Sequence, residues 1–330
     1  MRTDLLPEME EKLVGVPDGK LLIKRYTAEH DAPFLSEKII ACSDGKGIAE
    51  SWTVFPGIAL LHSYYLAKQY SFHHAPLPTV LQINHCRQGR IGWEMYDGIT
   101  IYLGEGDLSL HMMDACAESV MSLPLGFYEG ISISVDLETL EQAPPGILCE
   151  AGVKGQKLHE KFCGQSGHTA MPASAQIEHI FSELYTLPSD LLIPYFKLKV
   201  QELLLFLSIL DISKEKQLDR YYSQQIETIK AIHAQLTQHL DRRYTIEELA
   251  KQHLINTSSL KAAFKTVYGL PVASYMKEYR IREAARMLRE NSGSIAEVAA
   301  AVGYESQSKF AAAFREVFQI PPTMYRKQFQ

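Results

Sequence analysis

Twice in its last ninety residues the chain sets hydrogen-bonding and cationic side chains along one face of a short amphipathic segment. In the first, Leu260 and Phe264 are four apart and turn inward, which leaves Ser258, Ser259, Lys261, Ala262 and Lys265 outward. In the second, Phe310, Phe314 and Phe318 make the apolar stripe, and Gln307, Ser308, Lys309, Ala312 and Arg315 lie outward. Ammonium, guanidinium and amide groups on one helical face are donors that phosphates and base edges accept. Each segment has the same prelude: Ile246-Glu247-Glu248-Leu249-Ala250 in one copy, Ile295-Ala296-Glu297-Val298-Ala299 in the other. Each closes on an apolar residue, a Pro and a Tyr: Leu270-Pro271 with Tyr275, and Ile320-Pro321 with Tyr325. The offset is 49 residues at the start and 50 at the end, the mark of a duplicated unit. A short helix, a tight turn and a second helix form the geometry that sets a helix into the major groove of DNA.

The elements that must hold these faces have their own signals. Thr245 with Glu248, and Ser294 with Glu297, have capping-box spacing, which predicts helix starts at both places. Ile246, Leu249 and Ala250 then face a core, as do Ile295, Val298, Ala299 and Val302, and Gly303 supplies the second turn. Between the copies, Val272 to Glu290 reads as one long helix carrying Lys277, Arg280, Arg282, Arg286 and Arg289. The charge supports a nucleic-acid role for this part alone. The whole chain of 330 residues carries −6, but residues 241–330 hold 14 basic and 9 acidic residues, a balance of +5, which leaves −11 on the remainder.

At this point the resemblance is to the C-terminal domain of the AraC/XylS family of bacterial transcription regulators. It covers about residues 240–328 and rests on the two helix-turn-helix units, the linking helix, the run SIAEVAAAVGYESQSKFAAAFREVFQIPPTMYRK and the closing Pro-x-x-x-Tyr. The resemblance implies two recognition helices held by a rigid linker and reading successive major-groove segments, with double-stranded DNA and RNA polymerase as partners. It gives the base contacts to Ser258, Lys261, Ala262, Gln307, Ser308 and Ala312. On those positions Lys261 suits guanine, Gln307 suits adenine, and the two alanines meet only thymine methyls. Phosphate contacts fall to Thr257, Lys265, Arg286, Lys309 and Arg315, with the other linker-helix arginines as further candidates. Two departures stand out. Leu254 replaces the turn Gly of many relatives, so the first turn is expected to differ. Ala262 and Ala312 replace residues that are often Arg or Gln, which shifts weight to DNA shape.

The expected fold is multidomain: a mainly-β, cupin-like (jelly-roll) sensor domain over 1–145, a helical connector over 146–240, and an all-α DNA-binding domain over 241–330. The last divides into a first helix-turn-helix at about 245–266, a linker helix at about 272–290 and a second helix-turn-helix at about 294–317. From Ser51 to Leu137 short apolar runs alternate with turn residues, among them Val80–Ile83, Ile99–Leu103, Leu108–Leu110 and Ile131–Val135. Many short strands at close spacing suggest a barrel or jelly roll, with a mixed α+β domain as the alternative. Gly104-Glu105-Gly106-Asp107 looks like a tight turn between paired strands and resembles the Gly-Asp turn of cupin-like barrels. Residues 1–40 carry little signal, and 150–175 read as Gly-rich and irregular. Helical periodicity follows over Ile177–Tyr185, Asp190–Leu210 and Asp219–Leu240. These helices suit packing on the sensor domain, a homodimer seam, or both. The stretch Tyr195 to Leu204 is similar to the siderophore-responsive subgroup of the family.

An unknown small-molecule effector is the expected ligand, with Trp52, His85, Arg90, Trp93 and Tyr96 as its candidate contacts, and His73, His74 and Arg87 behind them. Aromatic and basic groups near a barrel mouth suit a small organic anion or an aromatic chelator. No cofactor and no metal site are expected, since His73-His74 and His85-Cys86 are adjacent on strands and face opposite ways. The five cysteines, Cys42, Cys86, Cys116, Cys149 and Cys163, form no C-x-x-C pair and fit a reducing compartment. With no apolar leader at Met1-Arg2-Thr3-Asp4 and no membrane-length run, the chain is expected in the cytoplasm, with no membrane partner. No enzyme activity is expected. The competing readings are a ligand-independent dimeric regulator and an alkylation-repair methyltransferase fused to the DNA domain. The latter needs an acceptor Cys in a Pro-Cys-His-Arg setting, but Asn84 precedes Cys86 and Phe162-Cys163-Gly164-Gln165 has no such match.

Overall fold

The architecture comes from a computed structural model that describes residues 5–26, 40–73, 76–95, 97–116, 118–164, 167–290 and 293–329. The chain divides between Tyr222 and Ser223 into two compact units, a mainly-β one and a helical one.

The β-rich unit holds two sheets. The first runs, edge to edge, β1 (Leu21–Tyr26), β3 (Lys46–Phe55), β4 (Ile58–Leu66), β11 (Tyr128–Asp136), β6 (Val80–Gly89), β9 (Leu108–Met112) and β12 (His168–Met171). The second runs β13 (Arg220–Tyr222), β8 (Ile99–Leu103), β7 (Ile91–Glu94), β10 (Glu118–Ser122), β5 (Gln69–His73) and β2 (Ile40–Ser43). Among the described residues only β1 with β3 is parallel. Strand alternation decides what each face of the first sheet meets. Ile58, Leu60, Leu81, Ile83, Leu108, Leu110, Ile131, Ile133 and Val135 face one way. They form one core with Phe196, Val200, Leu203, Leu204 and Leu207 of α6 (Leu192–Ile209) and with side chains of α2 (Leu137–Gln142), α3 (Gly146–Glu150), α4 (Gly155–Phe162) and α5 (Ala175–Phe181). That contact is why α6 is apolar over so much of its surface. α1 (Leu5–Lys12) and the residue after it cover Ile48 and Tyr64 through Met9 and Leu13.

The opposite face of the same strands is polar. The alternation Ile131-Ser132-Ile133-Ser134 puts two hydroxyls there: Ser132 Oγ donates to Asn84 Oδ1 at 2.7 Å and Ser134 Oγ donates to Gln82 Oε1 at 2.6 Å. Asn84 Nδ2 then donates to Ser109 Oγ at 3.3 Å. This face looks toward the second sheet, since Trp93 on β7 lies 6.2 Å from His111 on β9 and Tyr65 on β4 lies 4.7 Å from Tyr70 on β5, ring centre to ring centre.

Four expectations change here. Residues 104–107 do not close a hairpin, because β8 and β9 belong to different sheets. Asp107 decides this: its Oδ2 accepts from Gly104 N at 2.7 Å while its Oδ1 accepts from Ala173 N at 3.0 Å, a residue 66 positions away. The Gly-rich stretch 150–175 contains helix α4 and strand β12 rather than irregular chain. Residues 1–40, which carried little signal, include α1 and β1. The expected helix from Asp219 begins instead at Ser223, after the short strand β13 has paired Arg220–Tyr222 with Ile99–Ile101.

The helical unit comprises α7 (Ser223–Gln238), α8 (Ile246–Gln252), α9 (Thr257–Tyr268), α10 (Val272–Arg289), α11 (Ile295–Ala301), α12 (Gln307–Phe318) and α13 (Pro322–Lys327). Both capping boxes form. Glu248 N donates to Thr245 Oγ1 and Thr245 N to the Glu248 carboxylate, and Ser294 with Glu297 repeats the pair. The second copy's core is Val298, Ala299, Val302, Phe310 and Phe314 against Ile281, Ala284, Ala285 and Leu288 of α10. In the first copy Leu249, Leu260, Ala263, Phe264 and Val267 are buried in the same pattern. His233 of α7 stacks on Tyr268 at 4.2 Å and its Nε2 bonds the Tyr275 hydroxyl at 2.9 Å, which joins α7, α9 and α10.

The duplication extends to the backbone. Each copy has a left-handed residue in its turn, Leu254 at φ +54° and Gly303 at φ +77°, and another where its second helix ends, Gly269 at φ +81° and Gln319 at φ +60°. Leu254 therefore departs from the expected glycine in residue type but not in the sign of its φ. Each copy uses one glycine and one residue for which that conformation is strained.

Candidate nucleic-acid interface

In α9 the buried stripe Leu260-Ala263-Phe264-Val267 leaves Ser258, Lys261, Ala262 and Lys265 exposed, and in α12 Phe310-Ala313-Phe314 leaves Gln307, Ser308, Lys309, Ala312 and Arg315 exposed. Both helices are capped by the side chain before them: Asn256 Oδ1 accepts from Ser259 N at 2.7 Å, and Ser306 Oγ accepts from Lys309 N at 3.4 Å. Their N-terminal turns are thus fixed before any ligand arrives. Among the described residues, Lys261, Lys265, Lys309 and Arg315 have no carboxylate in ion-pair range, so their charges face solvent unpaired. Ser258 differs, since its hydroxyl already donates to Asn256 Oδ1 at 2.7 Å. Thr257 is half-buried at the first position of α9.

The basic residues of α10 stand otherwise. Arg286 is exposed but lies between two carboxylates of its own helix, Glu283 at 2.5 Å and Glu290 at 2.7 Å. Those partners raise its guanidinium above the ordinary arginine range. Lys277 bridges to Glu316 of α12 at 2.6 Å, and Arg282 pairs with Glu278 at 3.7 Å. Arg280 is buried, and Arg289 is exposed with its guanidinium 5.9 Å from the Phe329 ring. α9 and α12 thus each carry free positive charge, while most of the basic residues of α10 hold helices or neighbouring carboxylates.

The candidate effector residues do not converge. Trp52 lies on the helix-covered face of the first sheet, stacked 5.2 Å from Tyr26 and edge-on to Phe196 at 5.2 Å. His85 is on that face too, stacked on Phe181 at 4.2 Å, with Nδ1 bonded to the Tyr185 hydroxyl at 2.8 Å. Trp93 points between the sheets. Arg90 is half-buried, and its Nη1 approaches Gly104 so closely that a Cβ there would lie 2.3 Å from it. Tyr96 and His74 lie outside the described residues, as does the side chain of His73. Two groupings escaped the sequence reading. One is the Gln82-Asn84-Ser109-Ser132-Ser134 lattice, which the Ile-Ser alternation of β11 signals. The other is Glu129, buried between His62 at 3.1 Å and Arg87 at 2.9 Å, which nothing local in the sequence marks. Cys86 and Cys163 are buried, burial raising both thiols, that of Cys163 to about 12, so neither offers a thiolate near neutral pH.

With this geometry in place, residues 249–328 match the protein family described as "Helix-turn-helix domain". The chain is 29% identical over 115 residues to the HTH-type transcriptional activator RhaR of Mannheimia succiniciproducens, across 35% of this chain and 41% of that protein. It is 40% identical over 86 residues to a Streptomyces lividans protein named as an AraC-like transcription regulator, across 26% of this chain and 28% of that protein. The match thus spans less than half the length of either relative. A solved transcriptional regulator with an AraC-type DNA-binding domain from Chromobacterium violaceum is 21% identical over 32% of this chain and 96% of its own, with a TM-score of 0.30. The C-terminal residues carry a helix-turn-helix domain of the AraC type. Among the described residues no helix is long and apolar enough to cross a membrane, and no group of three or more His, Cys, Asp or Glu could hold a metal ion.

Proposed function

We propose that the protein is a sequence-specific DNA-binding transcription regulator of the AraC/XylS type, a cytoplasmic, effector-responsive activator that reads two successive major-groove segments. The observation that carries this reading is the duplicated exposed face: capped helices α9 and α12 each present unpaired cations and small or amide side chains over a buried aromatic stripe. In this reading α8–α9 and α11–α12 are two helix-turn-helix units. Lys261, Ala262, Gln307, Ser308 and Ala312 meet base edges, with Ser258 if its bond to Asn256 is exchanged, and Lys265, Lys309 and Arg315 meet phosphates.

Selection from random duplexes with the full chain is expected to yield a bipartite motif whose segments lie about one helical turn apart. Lys261→Ala should erase the base preference of one segment and Gln307→Ala that of the other, each costing about 1–3 kcal/mol. Replacing Lys309 should weaken all sequences alike and lower the salt slope by about one. No duplex affinity at low salt would remove the reading.

The β-rich unit is proposed as a cupin-like sensor. The hydroxyl and amide lattice between its sheets supports this, and its neutral chemistry fits a hydroxylated ligand better than the anion that the basic candidates suggested. A panel of sugars, aromatic acids and chelators should contain a compound that raises the unit's melting temperature, since a ligand of the native state stabilises it by mass action. A flat response would leave the ligand-independent regulator.

A further inference from the structure

The two turns of the duplication are held differently. The first leaves Leu254 95% exposed and is tied to α7 through side chains, His253 Nε2 bonding Gln235 Oε1 at 2.8 Å. The second is covered by the four residues Leu240–Arg243, which follow α7 and lead into the cap of the first copy. Leu240 packs on the second copy's core. Its carbonyl oxygen lies so close to Gly303 that a Cβ there would stand 2.3 Å from it. The Gly303 carbonyl accepts from Arg243 Nη2 at 3.2 Å and Nε at 3.4 Å. Arg243 also lies 5.8 Å from the Tyr304 ring. From the other side, Arg280 of α10 is 8% exposed and its Nη2 donates to the Arg242 carbonyl at 2.8 Å. A buried guanidinium costs desolvation, and burial together with the neighbouring Arg243 charge lowers the pKa of Arg280. Arg280 sits where the chain entering the first copy crosses the turn of the second.

We infer that Leu240–Arg243 is a strap, clamped by Arg280 and Arg243, that fixes the second recognition helix relative to the first. This rests on the reading of α9 and α12 as the two DNA-reading helices. α10 joins the copies end to end and packs on the second through Ile281, Ala284, Ala285 and Leu288, with Lys277 bridged to Glu316 of α12. The strap adds a second connection, which closes a ring from the start of the first copy to the turn of the second and back through α10. Its consequence is specificity for spacing: two helices that cannot move independently accept only one separation of their base segments. Arg280 and Arg243 are then positioning residues that touch no base.

The test uses the full chain, the selected bipartite duplex, the same duplex with one base pair inserted between the segments, and duplexes holding one segment alone. One inserted pair turns the second segment by about a tenth of a helical turn. The unsubstituted protein should lose about tenfold in affinity on the insertion, a change of about 1.4 kcal/mol. With Arg243→Ala and Arg280→Gln the native spacing should bind about tenfold more weakly and the insertion should cost less than about threefold, with single-segment affinity unchanged. Arg280→Lys, which keeps a donor, should restore much of the discrimination. An undiminished insertion penalty, or an equal loss on single segments with a salt slope lower by about one, overturns the inference and makes Arg243 a phosphate contact. A second readout needs no DNA. The distance distribution between nitroxide labels at positions 261 and 308 should broaden in exposed Arg243→Ala alone, and an unchanged distribution also overturns the strap. Absence of all duplex binding by the unsubstituted protein would fail the DNA reading while the label distances still judge the strap.

Discussion

Lowering the pH from 7 to 5 is expected to destabilise the β-rich unit by at least about 2 kcal/mol, with His85 as the main cause. Its ring is 2% exposed, stacked on Phe181, and its Nδ1 shares a hydrogen bond of 2.8 Å with the Tyr185 hydroxyl. Burial pushes its pKa from 6.5 down to about 3. The folded chain therefore binds this proton more weakly than the unfolded chain. Stability is full above 6.5 and falls as pH drops through the window from 6.5 to about 3, at about 1.4 kcal/mol per unit. Two neighbours act in the same direction. Burial lowers the pKa of His62, against the opposing pull of Glu129, and the Tyr64 hydroxyl at its Nδ1 fits a neutral ring that donates from Nε2 to Glu129. Burial pushes Glu129 up, but His62 and Arg87 together hold it below its ordinary value, so its contribution is lost as pH falls under the usual carboxylate range. Both tryptophans, Trp52 and Trp93, lie in this unit, so their fluorescence in urea follows its unfolding alone. In His85→Gln, whose side-chain amide can still bond Tyr185, the loss between pH 7 and 5 should shrink by about 2 kcal/mol. An unchanged loss would show that His85 is not the group that titrates.

How much of this could be read from the residues follows from the range of the forces involved. The helical repeat was legible because its determinants are local. Capping partners sit three residues apart, apolar stripes recur every three or four, and Gly303 marks its own turn. The ion pairs of Arg286 are equally local, at i−3 and i+4, but the number of cations along α10 does not reveal them, because the neutralising carboxylates lie on the same helix. The β-rich unit was legible in its strand positions and not in its pairing. Whether residues 104–107 close a hairpin or carry the chain to the other sheet depends on an acceptor for Ala173 N, far along the sequence. Glu129 meets His62 and Arg87 only because β4, β11 and β6 are neighbours. The effector candidates failed to converge for the same reason. Aromatic and basic residue types do not state which face of which sheet they occupy, so Trp52 and Trp93 were grouped although they point into different cores.

The second large effect lies in the turns of the repeat, where two substitutions should move stability in opposite directions. Gly303→Ala should destabilise the helical unit by about 2–4 kcal/mol. The left-handed conformation alone costs an L-residue roughly 1–2 kcal/mol, and the added Cβ would stand 2.3 Å from the Leu240 carbonyl oxygen, so the strap must also yield. Leu254→Gly has the opposite balance. Its side chain is 95% exposed and loses almost no packing, and its φ of +54° is strained for leucine but not for glycine. Relief of that strain competes with the extra freedom glycine gives the unfolded chain, about 0.4–1 kcal/mol. The net should be a gain of about 0.5–1 kcal/mol. Gln319 is not equivalent, because its side-chain amide donates to the Glu316 carbonyl at 3.0 Å and offsets part of its strain. Since the helical unit contains no tryptophan, the readout is amide hydrogen exchange over residues 246–268 and 295–318. Gly303→Ala should speed exchange in both stretches if strap and turn stabilise the two copies as one cooperative body, and Leu254→Gly should slow it. Faster exchange confined to residues 295–318 would mean that the copies unfold independently. A destabilising Leu254→Gly would mean that the leucine side chain, despite its exposure, holds the first turn in place.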